Sequence, residues 1–196
     1  MESQDLMELL LTRRSYRRFD QSRPVPEEVA ADILRAQQYA SRGNNRQPLR
    51  FLLIRTPELV EQVFPLTRWA ASLPPEAGTP KPGEHPTLFL AVLEERRLQN
   101  RWTDTDAGLA IANMTLAAWA HGVGSCILGN ISRDALRTLL QISQDYELHT
   151  LVAFGYPTHR SYLEEVGPDA DLRYHLDEKG DYLVPRRRIA DVADQI

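Results

Sequence analysis

The chain has 196 residues, 42% of them hydrophobic, enough for one sizeable core and short for two full domains. A formal net charge of −4 and a pI near 5.8 supply no global basic field for nucleic acid, so any anion recognition must be local. No apolar stretch approaches the ~20 residues that span a bilayer, the opening Met1-Glu2-Ser3 leads into no signal-type apolar run, and a lone Cys126 excludes an intrachain disulfide, so the expectation is a cytoplasmic protein without a membrane partner.

Residues 5–12 place Leu6, Leu9 and Leu10 at helical spacing, and Arg13-Arg14-Ser15-Tyr16-Arg17 follows at the helix end. Four arginines among six residues repel one another, and their forked donors beside a hydroxyl suit phosphate oxygens. Pro26, Glu27 and Glu28 open a second helix whose apolar face, Val29, Ile33, Ala36 and Ala40, runs until Gly43 ends it. Ser41 to Pro48 is then a loop carrying the amides Asn44, Asn45 and Gln47, which both donate and accept. That suits a polyol or a heterocycle edge, and it also suits a plain polar turn.

Phe51 to Ile54 reads as a buried strand, with a helix over Pro57 to Val63. Residues 74–86 hold five prolines and two glycines, which predicts a surface excursion without regular structure before a strand over Thr87 to Leu93. From Asp104 to His121 the small residues Ala107, Gly108, Ala110, Ala112, Ala117, Ala118 and Ala120 predict one helix buried on most sides. Gly122 and Gly124 stop it; Cys126 to Leu128 is a strand, Ser132 caps a helix using Leu136, Leu139 and Leu140, and Leu151 to Tyr156 is a further strand.

The tail offers Tyr174 to Asp177, a turn at Glu178-Lys179-Gly180, Tyr182 to Val184 and a final short helix. It is too sparse in apolar residues to fold alone, and it carries a second basic cluster, Arg186-Arg187-Arg188, toward a distant site on the body or on a partner subunit. Gly122-Val123-Gly124 through Gly129 has the wrong spacing and follows a helix, so it is no dinucleotide fingerprint. His85, His121, His149, His159 and His175 never fall at ligand spacing with a carboxylate or cysteine, so no metal site is expected. Cys126 in its apolar segment is expected to be inert core, and Ser15, with no histidine nearby in sequence, is a phosphate donor rather than a nucleophile.

Six stretches in this order resemble the nitroreductase family of FMN-dependent oxidoreductases over nearly the whole chain. They are Arg13 to Arg17, Ala40 to Pro48, Gly83-Glu84-His85-Pro86 before a strand, the small-residue helix ending in Gly122-Val123-Gly124, Phe154-Gly155-Tyr156-Pro157, and Val184-Pro185-Arg186-Arg187-Arg188. The resemblance implies an α+β fold with a central mixed, mostly antiparallel sheet flanked by helices, in an intertwined homodimer with two FMN sites at the interface. It implies one domain over 1–196, with 168–196 an extension packing on the partner subunit. Arg13, Arg14, Ser15 and Arg17 would hold phosphate and ribityl groups, and Arg186 and Arg188 would close on the phosphate. Ser41, Arg42, Gly43, Asn45 and Gln47 would approach the flavin from the other subunit, and Leu128 and Gly129 would offer backbone groups to its ring. The chain departs from many relatives at Leu49, where an aromatic is common, and at Leu128, where some carry glutamate.

The implied activity passes electrons from NAD(P)H through FMN to a small aromatic or quinone-like acceptor, by a ping-pong mechanism in which no protein general acid need be identified. The alternatives are substrate dehydrogenation, reductive dehalogenation, flavin binding without turnover, or an arginine-patch interaction module with no flavin.

Overall fold

Leu88 to Leu93 is apolar at every position instead of alternating, the pattern of a strand covered on both faces. A computed structural model, which describes residues 2–194, places this segment in β2 (Leu88–Glu95). β2 lies between β1 (Leu49–Ile54) and β4 (Tyr146–Gly155), and β3 (Gly124–Leu128) forms the far edge of an antiparallel sheet of order β1-β2-β4-β3. Successive side chains point to opposite faces. Leu88, Leu90, Val92, Val152 and Phe154 therefore enter one core with α2 (Glu27–Ala36) and α5 (Thr103–Ala120), while Phe89, Ala91, Leu93, Leu151 and Ala153 enter a second with α3 (Pro57–Val63) and α6 (Arg133–Leu139). Helices thus flank both faces, as expected.

Four expectations for local structure need correction. The α-helix that starts after Pro26 stops at Ala36 and tightens into a 3-10 turn, Gln37–Tyr39, so Gly43 is not its terminator. Gly43 serves close approach instead: a Cβ there would lie 2.4 Å from Cβ of Trp102. The proline-rich excursion contains a turn of helix, α4 (Pro75–Gly78), because proline at the first helical position gives up an N–H that would be unpaired anyway. Ser132 occupies the cap position of α6 but makes no side-chain capping bond. β4 also begins earlier than its apolar run, at Tyr146, where polar residues alternate along the strand.

α5 meets its predicted burial on one face only. Ala107, Ala110, Ile111, Met114 and Ala118 are buried, whereas Gly108, Leu109, Ala112 and Ala120 are open in the single chain. At the C-terminal end of α5, Ala120, with Leu116 and Ala117, lines a shallow cleft with Leu9 of α1 (Ser3–Thr12) and Tyr39, which is 74% exposed.

The tail forms a small sheet of order β5-β7-β6 from β5 (Ser161–Val166), β6 (His175–Leu176) and β7 (Tyr182–Arg187), and a 3-10 turn, Ile189–Asp191, stands where a final helix was expected. β5, with few apolar residues, gave no strand signal; it pairs parallel to β7, whereas β6 pairs antiparallel to it. The sheet docks on its own chain: the Arg17 guanidinium lies 4.3 Å from the Tyr174 ring centroid and 4.7 Å from that of Tyr182, and Arg18 donates to the Gly180 carbonyl. Among the described residues no helix is long and apolar enough to cross a membrane.

Candidate functional site

The chain leaves α1 at Thr12 and runs along the free edge of β3. Ser15 bridges Ser125 in parallel, and the Tyr16 N–H donates to the Ser125 carbonyl at 2.8 Å. Tyr16 stacks on Trp119 near the end of α5 with ring centroids 4.9 Å apart. This fixes the backbone and leaves Arg13, Arg14 and Ser15 on the rim. β7 brings the second basic cluster to the same place, since Arg14 is held below its ordinary pKa by burial first and then by the charges of Arg186 and Arg13. Among the described residues Arg13, Arg14, Arg17 and Arg186 have no carboxylate partner, although Arg35, Arg55, Arg96, Arg97, Arg173 and Arg188 each have one. Arg14 Nε and Arg17 Nη1 are buried donors without a hydrogen-bond partner. Such a group is an electropositive cluster with unspent donors, as a bound anion requires.

The two ends of the chain therefore meet, but not every predicted residue joins equally. Arg17 is pinned between Tyr174 and Tyr182, with one nitrogen free. Arg188 turns aside to Asp191, with Nε 3.0 Å from Oδ2. Cys126 is buried below the cluster, and burial raises its thiol pKa while Arg17 opposes that rise to a lesser degree, in keeping with inert core.

From Ser125, β3 leads away from the arginines to Leu128 and Gly129, four residues or ~13 Å of strand. The Leu128 side chain is buried and its carbonyl accepts from Thr150 Oγ1 at 2.7 Å, while no atom lies within 4 Å of a Cβ built on Gly129. Exposed Ile127 flanks this strip, so the end of β3 offers backbone beside an apolar surface.

The amide loop belongs to a different region. The Gly43 N–H donates to Asp106 Oδ1 at 2.7 Å, tying the loop to the first turn of α5, and Arg42 donates to the Gln37 side chain. Asn44, Asn45 and Gln47 all adopt φ of 52°, a left-handed conformation unusual for residues other than glycine. Asn45, Gln47 and Ser41 are exposed, and Arg42 and Gln47 border a cleft of about 610 Å³ with Leu34, Gln38 and Phe51. Asp106 and Trp119 are thirteen residues apart on α5, ~20 Å along the helix axis. One chain alone thus holds its arginines and its amide loop at opposite ends of α5.

Three groupings escaped the sequence reading. Tyr16 and Trp119, with His159, Tyr162 and Leu163, line an aromatic cleft of about 460 Å³. Asp106 fixes the amide loop. The third joins His149 to two carboxylates although the histidines show no ligand spacing along the chain: His149 Nε2 lies 3.7 Å from Glu94 Oε1 and 3.5 Å from Asp104 Oδ1. These residues come from β4, β2 and α5, and no spacing along the chain signals the meeting.

The family described as "Nitroreductase family" matches residues 10–156. An Archaeoglobus fulgidus protein named "Putative NADH dehydrogenase/NAD(P)H nitroreductase" is 27% identical over 182 residues, covering 89% of this chain and 95% of its own. A Desulfovibrio desulfuricans crystal structure, titled a "putative nitroreductase in complex with fmn", is 28% identical with a TM-score of 0.65, covering 81% of this chain and 89% of that one. A nitroreductase-like protein of Streptococcus mutans has the same fold at 18% identity, with a TM-score of 0.72 over the full length of both chains.

His159 carries a consequence for stability. Burial, followed by the charges of Arg18 and Arg17, pushes its pKa from 6.5 down to about 4. The unfolded chain takes up this proton first, so stability present above pH 6.5 is lost as the pH falls through 6.5 toward 4. Between pH 7.5 and 4.5 the wild type should lose about 2–3 kcal/mol more than His159→Gln, read from urea midpoints. Equal losses would show that His159 does not enter the folded state neutral.

Proposed function

Because this chain belongs to the nitroreductase family, we propose that it is an FMN-dependent oxidoreductase that takes electrons from NAD(P)H and delivers them to a small aromatic or quinone-like acceptor. The observation that carries this reading is the uncompensated group of Arg13, Arg14 and Arg186 with its orphaned Arg14 Nε. A phosphate dianion matches that group in charge, and Ser15 adds a hydroxyl beside it. The FMN in the Desulfovibrio relative favours flavin mononucleotide as the bearer of that phosphate. When bound, FMN supplies the redox chemistry, hydride acceptance from NAD(P)H and electron transfer onward.

The chain's own residues bind and orient. Arg14 and Arg186 would hold the phosphate, with Arg13 beside them. Arg17, held between two tyrosines, offers its free Nη1 toward the ribityl side without having to order a flexible side chain. The backbone at Leu128 and Gly129 would offer its groups to the ring, with Ile127 as an apolar border. Arg188 reaches the phosphate only by leaving Asp191. Were one open site to serve both substrates in turn, ping-pong kinetics would follow.

The separation along α5 supports a homodimer. In an antiparallel pair of α5 helices, the amide loop of one copy, with Ser41, Arg42, Gly43, Asn45 and Gln47, lies against the arginines of the other. The stripe of Gly108, Leu109, Ala112 and Ala120 allows such close approach. The chain reads as one domain over 1–196, of which Met1, Gln195 and Ile196 lie outside the described residues, and exposed Leu172, Ile189 and Val192 of the extension that begins at 168 would be covered by the second copy. The setting is cytoplasmic.

Anaerobic stopped-flow absorbance is the direct test: NADH or NADPH should bleach the bound flavin, and a subsequent acceptor should restore it. Flavin that never bleaches would leave a binding protein without turnover. Arg14→Ala with Arg186→Ala should weaken FMN binding a hundredfold or more, at about 1.5–3 kcal/mol per charged bond lost, and Arg188→Ala should cost less. Fluorescence quenching reads both, and an unchanged affinity in the double variant removes the cradle. Ala112→Arg should give a folded monomer by light scattering that has lost FMN; a variant that stays dimeric would move the interface off α5.

A further inference from the structure

We propose that Glu94, Asp104 and His149 form a site for one divalent first-row transition ion, independent of the flavin reading. The backbone first sets His149 apart. The β2–β4 ladder passes from Val92 opposite Thr150 to Leu93 opposite Leu148, so His149 is the extra residue of a bulge. Bulges re-aim a side chain, and this one turns the imidazole Nε2 to the end of β2.

Glu94 waits there, 8% exposed. Its Oε2 accepts from Gln99 Nε2 at 2.7 Å, which orients the carboxylate and leaves Oε1 buried without a hydrogen-bond partner. Leaving a carboxylate oxygen dry and unpaired is costly, so the arrangement asks for a ligand. Asp104, 92% exposed in the first turn of α5, brings a second oxygen. The three donor atoms lie within 4.8 Å of one another.

Direct hydrogen bonds do not close the cluster: His149 Nε2 lies 3.5 Å from Asp104 Oδ1 and 3.7 Å from Glu94 Oε1, both beyond hydrogen-bond length. An ion takes nitrogen at ~2.0–2.1 Å and oxygen at ~2.0–2.2 Å, so donors at these separations can share one centre, and exposed Asp104 is free to close the remaining gap. The partial positive charge at the start of α5 opposes a cation, but two carboxylates outweigh it. One imidazole with two carboxylates and no thiolate suits Zn²⁺ or Mn²⁺ better than Mg²⁺, with the outer position left to water. Because Asp104 shares its helical turn with Asp106, a bound ion would also steady the turn that holds the Gly43 loop.

The test is equilibrium dialysis of chelator-treated, flavin-loaded protein against Zn²⁺, Mn²⁺ and Mg²⁺, with elemental analysis. One Zn²⁺ per chain should bind, Mg²⁺ should not, and Asp104→Asn and His149→Gln should each weaken Zn²⁺ binding at least ~10-fold. Zinc at about a hundredfold excess over Kd should raise Tm by roughly 5–10 °C in the wild type and not in Asp104→Asn. Asp104 is exposed, so its variant keeps the fold, checked by circular dichroism. No zinc uptake by the wild type, or equal uptake by wild type and both variants, overturns the site.

Discussion

Burial of β2 and β4 on both faces dictates where everything else can go. With Leu88, Leu90 and Val92 filling one core and Phe89, Ala91 and Leu93 the other, the sheet interior has no room for a polar ligand. Recognition is pushed to the free edge of β3 and to the loops around α5. The first arginine segment occupies that edge, its backbone paired at Ser125 and its side chains left to the rim. The same burial leaves Glu94, near the end of β2, almost wholly out of water, with the half-buried His149 turned toward it by the bulge in β4.

Charge supplies the second constraint. In a protein with a net charge of −4, Arg14 lies half-buried against the charges of Arg186 and Arg13 with its Nε unpartnered. Mutual repulsion in a half-buried setting destabilises the free chain, and a bound dianion removes that cost. The tail completes the group at little expense, since Tyr174 and Tyr182 clasp Arg17 and a single short sheet then delivers Arg186.

Much of this was legible along the chain because it rests on local pattern. Leu88 to Leu93, the small residues of α5 and the clustered arginines each declare themselves within a few positions. The misses share one cause, contact at long range. Gly43 looked like a helix stop because nothing nearby shows Trp102 packed against it or Asp106 accepting its N–H. His149 looked isolated because a bulge, not a spacing, turns it to Glu94. β5 gave no signal because pairing with β7 holds it, rather than its own composition. α5 was read as buried on most sides, and its open stripe is the part of that reading a single chain cannot satisfy.

The placement of the arginines and the amide loop at opposite ends of α5 has a genetic consequence. Where two copies pair antiparallel, each site takes its cradle from one chain and its loop from the other. A chain crippled in its arginines, co-assembled with one crippled in its loop, would concentrate both lesions in one site and leave the other whole. Two alleles that are each inactive alone would then complement one another, up to half the normal output of that mixed dimer.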